Sequence, residues 1–138
     1  MGRILGVDYG DSRIGLAISD LNKIIASPFH TINNKDLVSL EKIIKSIILE
    51  NDIECIVLGL PISMSGNETQ QTVKVRKFSK FLESFGIPTH LQDERLSSLS
   101  AKKSLIEQKV KTGHNKHLID STAAAIFLQQ FLDSHSYR

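Results

Sequence analysis

Residues 53 to 60 read Ile-Glu-Cys-Ile-Val-Leu-Gly-Leu, a short apolar run closed by Gly59 and Pro61. The stretches on either side carry a different period. Between Asp36 and Glu50, apolar residues fall at Leu37, Leu40, Ile43, Ile44, Ile47 and Ile48. Between about Thr69 and Phe85 they fall at Val73, Val75, Phe78, Phe81, Leu82 and Phe85, and Gly86 stops the pattern. Both are helical spacings, whereas eight mostly apolar residues ending in Gly and Pro favour a buried strand. A strand buried on both faces and flanked by helices belongs to a sheet with parallel crossovers, because only helices cover such a sheet.

The rest of the chain supplies the remaining strands. Arg3 to Tyr9 and Arg13 to Ser19 predict two strands joined by Gly10-Asp11-Ser12, a hairpin signal. A third strand is expected over Ile24 to Thr31, with Pro28 confining it to a sheet edge. Ile87 to Gln92 reads as a fifth strand, followed by Asp93-Glu94-Arg95. Ser97 or Ser98 can cap a helix running to about Val110, and Lys111 to Lys116 is a basic loop. A last helix, about His117 to Asp133, places Ile119, Ala123, Ile126, Phe127 and Phe131 on one face. The order β-β-β-α-β-α-β-α-α implies an α/β fold, a five-stranded mixed sheet with helices on both faces. At 138 residues this is one domain, 1–138, with no internal repeat or linker.

Composition excludes several classes. A hydrophobic fraction of 41% and a charged fraction of 23% suit a soluble globular protein. No apolar stretch approaches the ~20 residues of a membrane helix, and the N-terminus lacks a signal-like segment. The single cysteine, Cys55, lies inside an apolar run and reads as a buried structural thiol. The expected location is cytoplasmic. A net charge of +2 and a pI near 8.7 make any nucleic-acid footprint local.

Three carboxylates stand out: Asp8 at the end of the first strand, Glu94 after the fifth, and Asp120 near the start of the last helix. Active sites in such sheets gather at the carboxyl ends of the parallel strands. Ala123, Ala124 and Ala125 give the last helix a small-residue face that lets it approach the sheet. Carboxylates converging there repel one another unless a cation lies between them, and oxygen ligands suit Mg²⁺ or Mn²⁺. Two such ions, ~3.5–4 Å apart, can activate a water and stabilise the leaving oxygen of a phosphodiester. Each residue also has a structural reading. Asp8 and Asp11 are turn formers, Glu94 can belong to a solvated charge cluster, and Asp120 can favour the positive end of its helix.

Four motifs then carry a resemblance across nearly the whole chain: GVDYGDSRIGLAISD at the start, LGLPISMSG (Leu58 to Gly66), DERLSS (Asp93 to Ser98) and IDSTAAAIFLQQFL (Ile119 to Leu132). In this order and spacing the chain resembles the YqgF family, described as Holliday junction resolvase-like proteins and as pre-16S rRNA nucleases, within the RNase H-like superfamily. The resemblance implies an RNase H-like fold and nuclease chemistry that matures the 5′ end of 16S rRNA. It also implies two divalent ions held by Asp8, Glu94 and Asp120. Asp93 rivals Glu94 as third ligand; strand alternation sends the two to opposite faces, and only the family motif selects Glu94. Asp11 stands where relatives are expected to carry a small or hydroxyl residue.

Substrate-binding candidates surround these carboxylates. Gly59 and Gly66 bracket a strand-exit loop whose amides could cradle a phosphate, or which could be an ordinary turn shaped by Pro61. Arg13 and Gly15 could position a backbone phosphate, and Arg95, Lys116 and His117 lie near the acidic motifs. Lys102, Lys103, Lys109, Lys111, His114, Lys116 and His117 form one basic group; Lys74, Arg76, Lys77 and Lys80 form another. With no tryptophan and two tyrosines, base stacking is not an evident mode. The expected partner is nucleic acid, precursor ribosomal RNA first and branched DNA second, with no membrane. A non-catalytic nucleic-acid-binding or transcription-associated factor is the rival from another class. An actin-like ATPase half also opens on an Asp-x-Gly hairpin, but one domain lacks the second lobe that encloses a nucleotide.

Overall fold

The computed structural model describes residues 2–93 and 115–135, with side chains placed for 2–93 and 120–134. Glu94, Arg95, the helix expected from Ser97 or Ser98 to Val110, and the basic residues from Lys102 to His114 lie outside the described residues. The side chains of Lys116 and His117 do too.

The elements are β1 (Arg3–Tyr9), β2 (Arg13–Ser19), β3 (Ala26–Asn33), α1 (Leu37–Asn51), β4 (Ile53–Leu60), α2 (Gln70–Glu83), β5 (Thr89–Asp93) and α3 (Asn115–His135). The sheet runs β3-β2-β1-β4-β5. β1, β2 and β3 form an antiparallel meander, while β4 joins β1, and β5 joins β4, in parallel. This is the mixed five-stranded sheet expected. β3 starts two residues later than the expected Ile24, because Asp20 organises the preceding turn. Its carboxylate accepts from the backbone N–H groups of Ile24 and Ile25 at 2.8 and 2.9 Å. Those two bonds hold the Asp20 carboxyl below its ordinary value. Pro28 does sit on the edge strand, next to a register shift against Leu16 and Ala17, where its missing N–H costs the sheet least.

Helix ends follow capping chemistry. The Asp36 carboxylate accepts from Ser39 N–H at 2.8 Å to start α1. Thr69 and Thr72 exchange bonds as a capping box at the start of α2. The face of α2 differs from the apolar tally: Val73 is half exposed, while Thr72, Val75, Phe78, Ser79 and Leu82 are buried. Val73 and Val75, two residues apart, cannot share a helix face, and the Thr72 hydroxyl is drawn inward to donate to the Pro61 carbonyl. In α1, likewise, Leu40, Ile44 and Ile47 go in and Leu37 stays out.

Strand alternation splits the core in two. Leu5, Val7, Ile14, Leu16, Ile56, Leu58 and Leu60 face α1 and α2. Ile4, Ala17, Cys55 and Val57 face α3, meeting Ala124, Phe127, Leu128, Phe131 and Leu132. Each fully buried Phe or Leu there contributes on the order of 1.5–3 kcal/mol. Two glycines set how close α3 comes. A Cβ on Gly6 would lie 3.0 Å from Leu128 Cβ, and one on Gly15 would lie 2.3 Å from the Asp120 carbonyl oxygen. The helix therefore rests on strand backbone, which a side chain at Gly15 would forbid and one at Gly6 would crowd.

Cys55 is buried in this second layer, and burial, helped by the neighbouring Glu54 charge, pushes its thiol up to about 11. The thiolate is the reactive form, so the native protein is expected to resist thiol reagents at pH 8. Full labelling should appear only after denaturation. Rapid native labelling of the thiol would contradict the packing.

Candidate active site

Asp8 is the sixth residue of the seven-residue strand β1, where that strand meets the carboxyl end of parallel β4. It shares a face with Ile4 and Gly6, the face covered by α3, because residues two apart in a strand point the same way. Its cross-strand partner in β2 is Gly15. A Cβ on Gly15 would come within 2.9 Å of Asp120 Cβ. Cross-strand Cβ positions are about 4.5–5.5 Å apart, so the Asp8 and Asp120 Cβ atoms lie within about 8 Å of each other. The absence of a side chain at Gly15 is what lets the start of α3, with Asp120, settle beside the strand position opposite Asp8.

Arg13 joins them on the same face, two residues before Gly15. Its Nε donates to Asp120 Oδ2 at 2.8 Å, with side chains 31% and 24% exposed respectively. The pair is open enough that it adds little stability, under about 1 kcal/mol. Its consequence is orientation: a guanidinium fixes one carboxylate oxygen and presents its remaining donors at the rim. Arg13→Gln is accordingly expected to lower turnover about tenfold while moving the melting temperature by no more than a few degrees. Paired kinetic and melting measurements check this; an equal fall in both would make the pair merely structural.

Gly59 follows Leu58, the β4 partner of Val7, and shares the α3-covered face with Val57. Across from Gly59 on β5 sits Gln92, while Asp93 pairs with Leu60, a residue of the other core. His90, two before Gln92, confirms the facing by stacking near Phe131 of α3 at 5.4 Å between centroids. Asp93 is thereby directed to the face away from Asp8. Gln92 is the polar group that sequence reading passed over, and the alternation used to separate Asp93 from Glu94 was the signal for it.

Gly66 is placed elsewhere, in the tight turn from Ser63 to Asn67. Its φ is +90°, its N–H donates to the Ser63 carbonyl at 2.8 Å, and Asn67 N–H donates to Ser63 Oγ at 3.0 Å. These amides are spent within the loop, which gives Gly66 the turn role rather than a phosphate cradle. Asp11, in the β1–β2 turn, meets Lys74 of α2 at 3.2 Å and does not approach Asp120 in any bond described.

Comparison with known proteins gives the family and the fold. Residues 2–134 match the family described as RuvX, Holliday junction resolvase. The chain belongs to this family. Two similar sequences are each named "Putative pre-16S rRNA nuclease". One, from Endomicrobium trichonymphae, is 41% identical over 99% of both chains; the other, from Caldanaerobacter subterraneus subsp. tengcongensis, is 43% identical over 96% of both. Among solved structures, T. thermophilus RuvC in complex with Holliday junction substrate superposes with a TM-score of 0.61 at 14% identity. It covers 98% of this chain and 96% of that one. Fowlpox virus resolvase with Holliday junction DNA gives 0.59 at 12% identity, covering 97% and 99%. The fold of this RuvX-family chain is thus that of RuvC-like, RNase H-like proteins.

Proposed function

We propose that this chain is a divalent-metal-dependent nuclease that hydrolyses phosphodiester bonds at the 5′ end of precursor 16S rRNA. The observation carrying the reading is the juxtaposition of Asp8 and Asp120 on one sheet face, at the strand ends, with Arg13 bound to Asp120. The relatives' naming favours RNA as the substrate and the family description favours branched DNA, so both belong in the test.

Two neighbouring carboxylates supply hard oxygen donors, the chemistry that Mg²⁺ and Mn²⁺ select, and the one thiol among the described residues of this face, Cys55, is buried. Asp8 and Asp120 would hold the ion, with Glu94 as third ligand on family grounds. When bound, the metal supplies Lewis-acid stabilisation and a water of lowered pKa. Asp120 is held by a bond from Arg13, and in this reading the same guanidinium neutralises a phosphate of the substrate strand. Gly59 leaves the strand end beside Asp8 without a side chain, and Gln92 offers an amide to a phosphate oxygen or sugar hydroxyl. Arg95, Lys116 and His117 complete the substrate side in this reading.

The nuclease occupies residues 1–138 as one RNase H-like domain. No helix among the described residues is long and apolar enough to cross a membrane, and the reading places the enzyme in the cytoplasm, where its substrate is made. The test is cleavage of an end-labelled precursor 16S rRNA 5′ segment and, in parallel, of a four-way DNA junction, each with Mg²⁺ or Mn²⁺. Metal-dependent cut RNA with intact junction is the expected result. Cut junction with intact RNA would transfer the assignment to DNA, and binding without cleavage of either would favour the non-catalytic factor.

A further inference from the structure

On the opposite face of the sheet from Asp8, a cleft of about 230 Å³ is lined by Tyr9, Leu37, Lys74, Lys77, Phe78 and Phe81. Tyr9 is the residue directly after Asp8, so the cleft opens at the same strand end as the candidate site, with Cα atoms about 3.8 Å apart. The half-buried Tyr9 ring lies 4.5 Å from the ring of Phe78, and Phe78 lies 5.4 Å from Phe81. Phe78 is buried and forms the floor, Leu37 is exposed at one wall, and Lys74 and Lys77 stand exposed on α2. Lys74 also reaches Asp11 at 3.2 Å, an exposed pair weak enough to exchange for a phosphate.

We infer that this cleft is a subsite for one unpaired nucleotide of the substrate strand, flanking the bond cleaved at Asp8. The inference rests on the nucleic-acid reading above and extends it to a second face of the sheet. An apolar, aromatic hollow rimmed by two ammonium groups matches a nucleotide's two halves, a planar base and an anionic phosphate. Its volume is below the roughly 300 Å³ at which drug-sized pockets begin, which suits a single base. Although aromatic residues are scarce in the sequence, folding gathers three of them beside two lysines at the strand end that carries the carboxylate. A nucleic-acid strand passing over the carboxyl end of β1 reaches the cleft and the carboxylates in one crossing.

The experiment measures binding without added divalent metal, by anisotropy, of two fluorescein-labelled RNA hairpins: one blunt, one with a single-stranded 5′ overhang. Tyr9→Leu is expected to weaken overhang binding about tenfold and leave blunt binding unchanged, while Tyr9→Phe keeps both. Lys74→Gln/Lys77→Gln should reduce the salt slope of the overhang RNA by about 1.4, the value for two single-strand phosphate contacts. Melting curves establish that each variant is folded, and Tyr9→Phe controls for packing against Phe78. If every variant binds the overhang RNA within twofold of the parent, or if the changes are equal on both hairpins, the subsite is overturned. Failure of the parent to bind either RNA at low salt would instead overturn the nucleic-acid reading itself.

Discussion

Asp8→Asn is expected to lower phosphodiester hydrolysis by roughly a thousandfold, equivalent to about 4 kcal/mol of transition-state stabilisation. The asparagine keeps the shape of the side chain and the β1 register against Gly15, so the strand end should be undisturbed. What it removes is the negative charge that, in the proposed reading, joins Asp120 in holding a divalent ion. The readout need not rest on activity alone. A ligand that binds only the folded state raises its stability in proportion to the logarithm of its concentration. The parent should therefore gain melting temperature with added Mn²⁺, and Asp8→Asn should not. RNA binding should persist. Hydrolysis retained within threefold, with Mn²⁺ still stabilising the variant, would remove Asp8 from the site.

The second large effect is expected where there is no side chain at all. Gly15→Ala would set a methyl group 2.3 Å from the Asp120 carbonyl oxygen and 2.4 Å from its carbonyl carbon. Both are backbone atoms, so no rotamer change relieves the clash and α3 must move off the sheet. Overpacking of this kind costs typically about 1–3 kcal/mol. For a chain of this length that is a fall of several degrees in melting temperature. Activity should fall further than stability, by about a hundredfold, because displacing Asp120 by about 1 Å separates it from Asp8. Gly86→Ala provides the contrast. Gly86 has a φ of +78° and open space around its Cβ position, so alanine there strains the backbone by about 1 kcal/mol without touching the site. Equal activity losses in the two variants would mean that Gly15 matters only for stability.

The two effects differ in how far they can be anticipated from the chain. Asp8 ends an apolar run, and an acidic residue there is conspicuous because carboxylates are rarely buried without a partner. Gly15 is one of eight glycines, and neither period nor composition distinguishes it from a loose strand position. Its meaning depends on Asp120, 105 positions away along the chain.

The sequence by itself determined the layers. Period-two and period-3.6 patterning located five strands and the helices described, the hairpin residues Gly10-Asp11-Ser12 set β1 against β2, and Pro28 marked the edge strand. Such signals are local, because backbone geometry and side-chain alternation act over a few residues. The four motifs added the family, whose acidic residues fall on the carboxylates already singled out, Asp8, Glu94 and Asp120. Only the tertiary structure decided what those residues meet. Register across β4 and β5 sent Asp93 away from Asp8 and put Gln92 on the α3-covered face. The approach of α3 to Gly15 gave Arg13 to Asp120, and the fold of α2 against β1 drew Tyr9, Phe78 and two lysines into one cleft. These are contacts between residues far apart in sequence. They are set by the packing of helix on sheet, where a fraction of an ångström decides whether backbone can touch backbone, and a one-dimensional pattern holds no distance of that kind.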